Sequence, residues 1–115
     1  MAGAKRIIWM GTSLDDLKAL PDEPKRAIGF ALSAVQDGGF PRGAKPLHGV
    51  SGVYELRTST DTSTYRAVYV VNLGDHIYVL HVFQKKSKKG VATPQAEMNL
   101  IRARLKLARE AAQDD

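Results

Sequence analysis

Three strand-length runs follow one another with almost nothing between them, and that succession constrains the fold more than any other feature of the chain. They are Gly52 to Thr58, Thr64 to Asn72 and His76 to Gln84, separated by the polar stretch STDTS and by Leu73-Gly74-Asp75. Connections this short suit antiparallel hairpins; a parallel crossover needs a dozen residues or more. Alternation in the middle run sets Tyr65, Ala67, Tyr69 and Val71 on one face and Arg66, Val68 and Val70 on the other. The third run is apolar on both faces, which places it inside the sheet with cover on each side.

The flanking segments supply that cover. Lys5 to Met10 is a short β-branched and aromatic run closed by Gly11, and reads as a first strand. Ser13, three residues ahead of Asp16, resembles a capping box at the start of a short helix, with acids in the first turn where the helix dipole favours them. Glu23 to Gln36 repeats Ala27, Ile28, Ala31, Leu32 and Val35 at helical spacing, and Asp37-Gly38-Gly39 ends it. The glycine- and proline-rich stretch from Phe40 to Ser51 reads as a connecting loop carrying Arg42, Lys45 and His48. Thr93-Pro94 predicts an N-cap followed by proline at the first helical position. Met98, Ile101, Leu105 and Ala108 then form a stripe reaching about Ala112, beyond which the tail is expected to fray. Arg102, Arg104, Lys106 and Arg109 lie off the stripe. The expectation is one α+β domain over residues 1–115. It has a single antiparallel sheet of about four strands, an N-terminal helical hairpin and a C-terminal helix, in the order β-α-α-β-β-β-α.

At 115 residues and 43% hydrophobic the chain suits one such domain. No run approaches the roughly 18 to 20 apolar residues of a membrane span, and the N-terminus lacks the pattern of a signal peptide. A soluble, cytoplasmic protein with no membrane partner is therefore expected. The absence of cysteine rules out disulfides, thiolate nucleophiles and zinc-thiolate sites. His48, His76 and His81 fall in a loop, a strand start and a strand interior, a spacing that builds no metal site. Phosphate-binding glycine loops, a hydrolase elbow and paired carboxylates are missing as well, so neither metal nor cofactor is expected.

The charge is localised. Between Arg42 and Lys89 eight Lys/Arg face three acids, a window that holds the whole net charge of +5. Such an excess favours polyanions, phosphate backbones above all. In an antiparallel meander the end of one strand neighbours the start of the next, so Arg57, Arg66, Lys85 and Lys86 should gather at one rim of the sheet. A rim of this kind can hold a phosphate and stabilise the added negative charge of a pentacoordinate transition state without a metal. Lys88 and Lys89 read either as a solvated turn or as steering charge toward RNA. His81, expected on an apolar face beside Val79 and Phe83, reads as a packed histidine or as a general base. Phe83 reads as a packing residue or as a platform for a nucleobase.

KPLHGVSGVYELR, TYRAVYVV, IYVLHVFQKKSKK and a following TP with an amphipathic helix occur in that order. The succession resembles toxins of the RelE superfamily, closest to the HigB or phage Gp49-like branch. The resemblance implies a ribosome-dependent mRNA interferase of a type II toxin–antitoxin system, cutting RNA by attack of a ribose 2′-hydroxyl on the adjacent phosphate without metal. Carried over to this chain, Arg57, Arg66, Lys85 and Lys86 take the family's basic positions, and Lys45 is an RNA-backbone contact. Lys86 and His81 join the two arginines as catalytic candidates; Phe83, Lys88 and Lys89 join Lys45 and Lys85 as RNA-binding ones. The implied partners are mRNA, the ribosome and a helix-turn-helix antitoxin of the HigA type, in an assembly such as a heterotetramer.

This chain departs from some ribosome-dependent members in two places. Glu55 stands where they carry lysine, and no tyrosine follows Gln84, where they use one. The alternatives these departures raise are a ParE-like inhibitor of DNA gyrase and a former toxin that only holds its antitoxin. A plain basic RNA-binding module is a third.

Overall fold

The computed structural model describes residues 5–85 and 93–113. Its framework is the expected meander: β3 (Tyr54–Ser59), β4 (Thr64–Leu73) and β5 (His76–Lys85) pair antiparallel in sequence order. Ser59 faces Thr64 across the first turn, and Leu73 faces His76 across the second. That leaves Gly74-Asp75 as a two-residue loop, with Gly74 at φ +62 in the position where a type II′ turn needs a positive φ.

Two further strands complete the sheet. β1 (Arg6–Trp9) lies parallel to β5, and β2 (Ala44–Pro46) lies antiparallel to β3, giving the order β1-β5-β4-β3-β2. The sheet is thus five-stranded and mixed, where about four antiparallel strands were expected. β1 is followed by two helices before the chain re-enters the sheet at its far edge, so nothing in its own sequence sets its direction. β2 lies within the expected loop. Three residues ending in proline carry no alternation to read, and only an edge position tolerates that proline.

α1 (Ser13–Lys18) and α2 (Asp22–Gln36) cover one face and α3 (Gln95–Gln113) the other. Under the first pair lie Leu56, Tyr65, Ala67, Tyr69, Ile77, Val79 and Val82, met by Leu17, Ile28, Leu32 and Val35. Under α3 lie Val53, Val68, Val70, Tyr78 and Leu80, met by Met98, Ile101, Leu105 and Ala108. The stripe of α3 and the alternation of β4 fall as the spacing predicts, and so does the stripe of α2 except at Ala27, which is exposed. Each fully buried aliphatic side chain contributes roughly 1.5 to 3 kcal/mol by leaving water.

Two helix starts differ from expectation. Ser13 is fully buried and donates to the carbonyl of Val79 at 3.2 Å, tying α1 to β5 instead of capping it. Thr12, one residue earlier, donates to Asp16 at 2.8 Å. α3 begins at Gln95, one residue after the expected first position, and the Thr93 hydroxyl turns toward the sheet. The end of α2 is as expected: Gly38 at φ +90 carries the chain out, and the N–H of Gly39 returns to the carbonyl of Ala34 at 2.9 Å.

β5 carries one irregularity that matters for the site. Val68 pairs with His81 and Tyr69 with Val79, so Leu80 is an extra residue without a partner opposite. Leu80 and His81 therefore both face α3, while Val79 faces α2. The carbonyl of Leu80 accepts from Arg104 of α3 at 2.9 Å, and a second nitrogen of that guanidinium reaches Thr12 at 3.4 Å. Arg104, which lies off the apolar stripe, anchors the helix over the bulge. No helix among the described residues is long and apolar enough to cross a membrane.

Candidate nucleic-acid cleavage site

Toward the turn that joins β3 to β4, the face under α3 changes from apolar to charged. Register makes the change orderly. Lys45, Glu55, Val68 and His81 form one cross-strand row; Arg57, Arg66 and Phe83 form the next; Ser59, Thr64 and Lys85 form the outermost. Arg57, Arg66 and Lys85 thus come to one rim, as the meander predicts.

Glu55 organises the cations. Its carboxylate is 3% exposed and takes Arg57 at 3.1 Å, Arg66 at 3.6 Å and Lys45 at 3.8 Å. A carboxylate so placed lets like charges share a small space, since each contact repays part of the desolvation cost. It also explains why an acid stands here among basic residues. From the sequence Glu55 reads as a departure from a lysine and, with Asp61, as a pair partner of Arg57 and Arg66; period-two spacing from Arg57 is the signal for its place on this face.

Arg66 is the most buried of the charges, at 1% exposure, and its guanidinium donates to the Thr93 hydroxyl at 3.0 Å. Burial holds its pKa below the ordinary arginine value, with Glu55 opposing and Arg57 adding to the depression. It remains a cation at neutral pH, as arginine does in proteins. The Nε atoms of Arg57 and Arg66 are buried without a hydrogen-bond partner among the described residues. Unmatched donors on paired guanidiniums suit an anion with several acceptor oxygens. Lys85 is also buried, and its ammonium is pushed down by burial and then by Arg66 and Arg57, with Glu55 opposing.

A cavity of about 460 Å³ opens beside these groups. Lys45, Glu55, Arg57, Arg66 and Thr93 line one part; Leu47, His48, Gly49, Gln95, Met98 and Arg102 line the rest. Thr93, Gln95 and Arg102 are additions that sequence reasoning missed. The threonine had a local role to fill at a helix start, and the arginine sat among surface charges.

His81 and Phe83 pack against each other beside the site. The His81 ring stacks on Phe83 with centroids 4.7 Å apart, and its Nε2 meets Glu97 of α3 at 2.7 Å. Neither residue lines the cavity. The bulge sets His81 beside Leu80 rather than beside Val79, and Phe83, 8% exposed, has a ring face covered by imidazole. The pair joins α3 to β5 next to the site. Lys86, Lys88 and Lys89 lie outside the described residues. No three described His, Asp or Glu side chains converge as metal ligands would.

Comparison with known proteins agrees with this architecture. A chain of the toxin–antitoxin complex RelBE2 from Mycobacterium tuberculosis superposes with a TM-score of 0.52 at 24% identity, covering 71% of this chain and 99% of that one. A mutant of the Escherichia coli toxin RelE in its free state superposes with a TM-score of 0.60 at 16% identity, over 90% of this chain and 96% of that one. At these identities the likeness is one of fold. No curated protein matches the sequence. The family model described as phage-derived protein Gp49-like (DUF891) matches residues 15–106. That span takes in most of α1, all of α2, every row of the site and most of α3. The order of motifs from Lys45 to Arg109 pointed to the same branch, and the chain belongs to the Gp49-like family, built on the RelE fold.

Proposed function

We propose that this protein is the toxin of a toxin–antitoxin pair and acts as a metal-independent endoribonuclease on mRNA at the ribosome. The observation that carries the reading is the buried Arg66 beside Arg57, two guanidiniums with unmatched donors at the mouth of a cavity. They bind the scissile phosphate and stabilise the charge that grows on it as the ribose 2′-oxygen attacks. A 2′-O–P bond forms and the bond from phosphorus to the 5′-oxygen breaks, giving a 2′,3′-cyclic phosphate and a 5′-hydroxyl. Thr93 and Glu55 fix Arg66 in place before substrate arrives. Lys45, half exposed, contacts the backbone on one side, and Lys85 adds positive potential at the rim. Lys86, Lys88 and Lys89 extend the same charge in sequence.

His81 serves here as a positioning residue. Through Glu97 it holds the first turn of α3, and with it Thr93, against the sheet. The partner in this reading is an antitoxin, of the helix-turn-helix HigA type by family resemblance, in an assembly such as a heterotetramer. The matched RelBE2 chain comes from a toxin–antitoxin complex.

Purified protein should cut mRNA on programmed ribosomes in the presence of a chelator and leave cyclic-phosphate ends. Arg66→Met should lower cleavage about 10²- to 10³-fold, the scale for removing one preorganised charge-stabilising donor, while circular dichroism stays native. An intact message at excess protein would refute the ribonuclease reading, and gyrase supercoiling assays would then test the inhibitor alternative.

A further inference from the structure

The cavity is much larger than a phosphate needs, and its chemistry changes along its length. Beyond the arginines its walls are Leu47 and Met98, both buried side chains, with Gln95, His48 and Arg102 at the edge. We propose that this part, between the β2–β3 loop and the first turns of α3, is a nucleobase-binding subsite that selects where RNA is cut. The proposal rests on the ribonuclease reading and adds to it the group that sets sequence preference.

Three observations support it. A nucleobase is flat and apolar on its faces and polar at its edge, which matches apolar walls with a polar margin. The Met98 thioether is a soft surface suited to an aromatic ring. The polar groups are also held in place. Gln95 donates its amide nitrogen to Asn99 at 2.8 Å, which leaves the amide oxygen to accept from a base, and Arg102 is fixed on the Gly49 carbonyl at 3.3 Å.

The loop wall is shaped to lie close. Gly49 has φ +91, and a Cβ built there would stand 3.7 Å from the Arg102 guanidinium and 3.9 Å from the Met98 methyl. Both are ordinary contact distances, so it is the left-handed backbone, which glycine adopts freely, that this position requires to turn the loop alongside α3. Finally, a ring face of Phe83, the alternative platform for a base, is covered by His81, so a base next to the bound phosphate has this chamber as its apolar contact.

Titration of the full chain with the four 2′-deoxynucleoside 3′-monophosphates, which cannot be cleaved, tests the subsite directly. Inorganic phosphate is the probe without a base. The Met98 methyl resonance should shift with nucleotides and not with phosphate, and affinities should differ about tenfold between best and worst base. Gln95→Ala, at an exposed position, and Met98→Leu, which keeps the volume, should narrow that spread to about threefold or less. Equal binding of all four nucleotides, or a spread unchanged in both variants, would overturn the subsite. The cut-site distribution on a mixed-sequence RNA separates the two readings. Redistribution in Gln95→Ala supports both, whereas cutting with an unchanged distribution in both variants overturns the subsite alone. If the wild type cuts nothing, the ribonuclease reading fails and the titration still decides the subsite.

Discussion

The two faces of the sheet are built from alternate residues of the same strands, yet they bury different chemistry. Under α2 the core side chains of β3 to β5 are apolar or aromatic, with the polar Thr58 and Gln84 only in an outer row, and Tyr54 stacks on Tyr69 at 5.9 Å. Under α3 the apolar rows of Val53, Val70 and Tyr78 give way to Glu55, Arg57, Arg66 and His81. One face keeps the chain folded, while the other gives up part of that role to hold charges out of water. A site of this kind borrows its rigidity from the face it does not use.

Neighbouring residues of β3 sharpen the contrast most. Glu55→Gln should destabilise the protein by about 3 to 5 kcal/mol in denaturant unfolding, because Arg66 is left buried without its counter-charge. Leu56→Ala, one residue along and facing α2, should cost about 2 to 5 kcal/mol through a cavity alone and leave cleavage by the folded fraction intact. If Glu55→Gln proves neutral, the carboxylate is not what holds the cations together.

Alkaline titration separates the faces with opposite signs. Burial, with Tyr54 adding to it, pushes the Tyr69 phenol up to about 12. The folded state therefore keeps that proton where the unfolded state loses it, and stability falls on the order of 2 kcal/mol as pH rises from 10 to 12. Lys85 is shifted the other way, so the cost of its buried charge is relieved as pH climbs toward the ordinary lysine value. Tyr69→Phe should remove the alkaline loss and expose the opposing rise; an unchanged profile would show that Tyr69 is not the titrating group. The smallest effect should be that of Arg66→Met on folding. Stability should stay level or increase, since an apolar side chain replaces a desolvated charge and Glu55 keeps Arg57 and Lys45. A large loss would mean that Arg66 is structural.

What could be read from the chain followed range. Alternation and short turns settle the meander and both of its faces, because each rests on residues within a few positions of one another. The rim of Arg57, Arg66 and Lys85 follows from that register alone. Partners supplied by the segment that starts α3 were not legible: Thr93 meets Arg66, and Glu97 meets His81, across 27 and 16 positions. The direction of β1 and the existence of β2 depend on the whole sheet being assembled. Ser13 shows a related limit, since its local signal fits a cap and tertiary contact gives it to Val79 instead.

The extra residue at Leu80 has a consequence for comparing relatives. A chain that ran through β5 with unbroken alternation would be one residue shorter there and could still present both faces as this one does. Matched without a gap, its sequence would assign the residue opposite His81 to the wrong side of the sheet, along with every position to Lys85. Family comparisons of the site should therefore open a single-position gap at Leu80 before asking which relatives keep the histidine, the phenylalanine and the lysine.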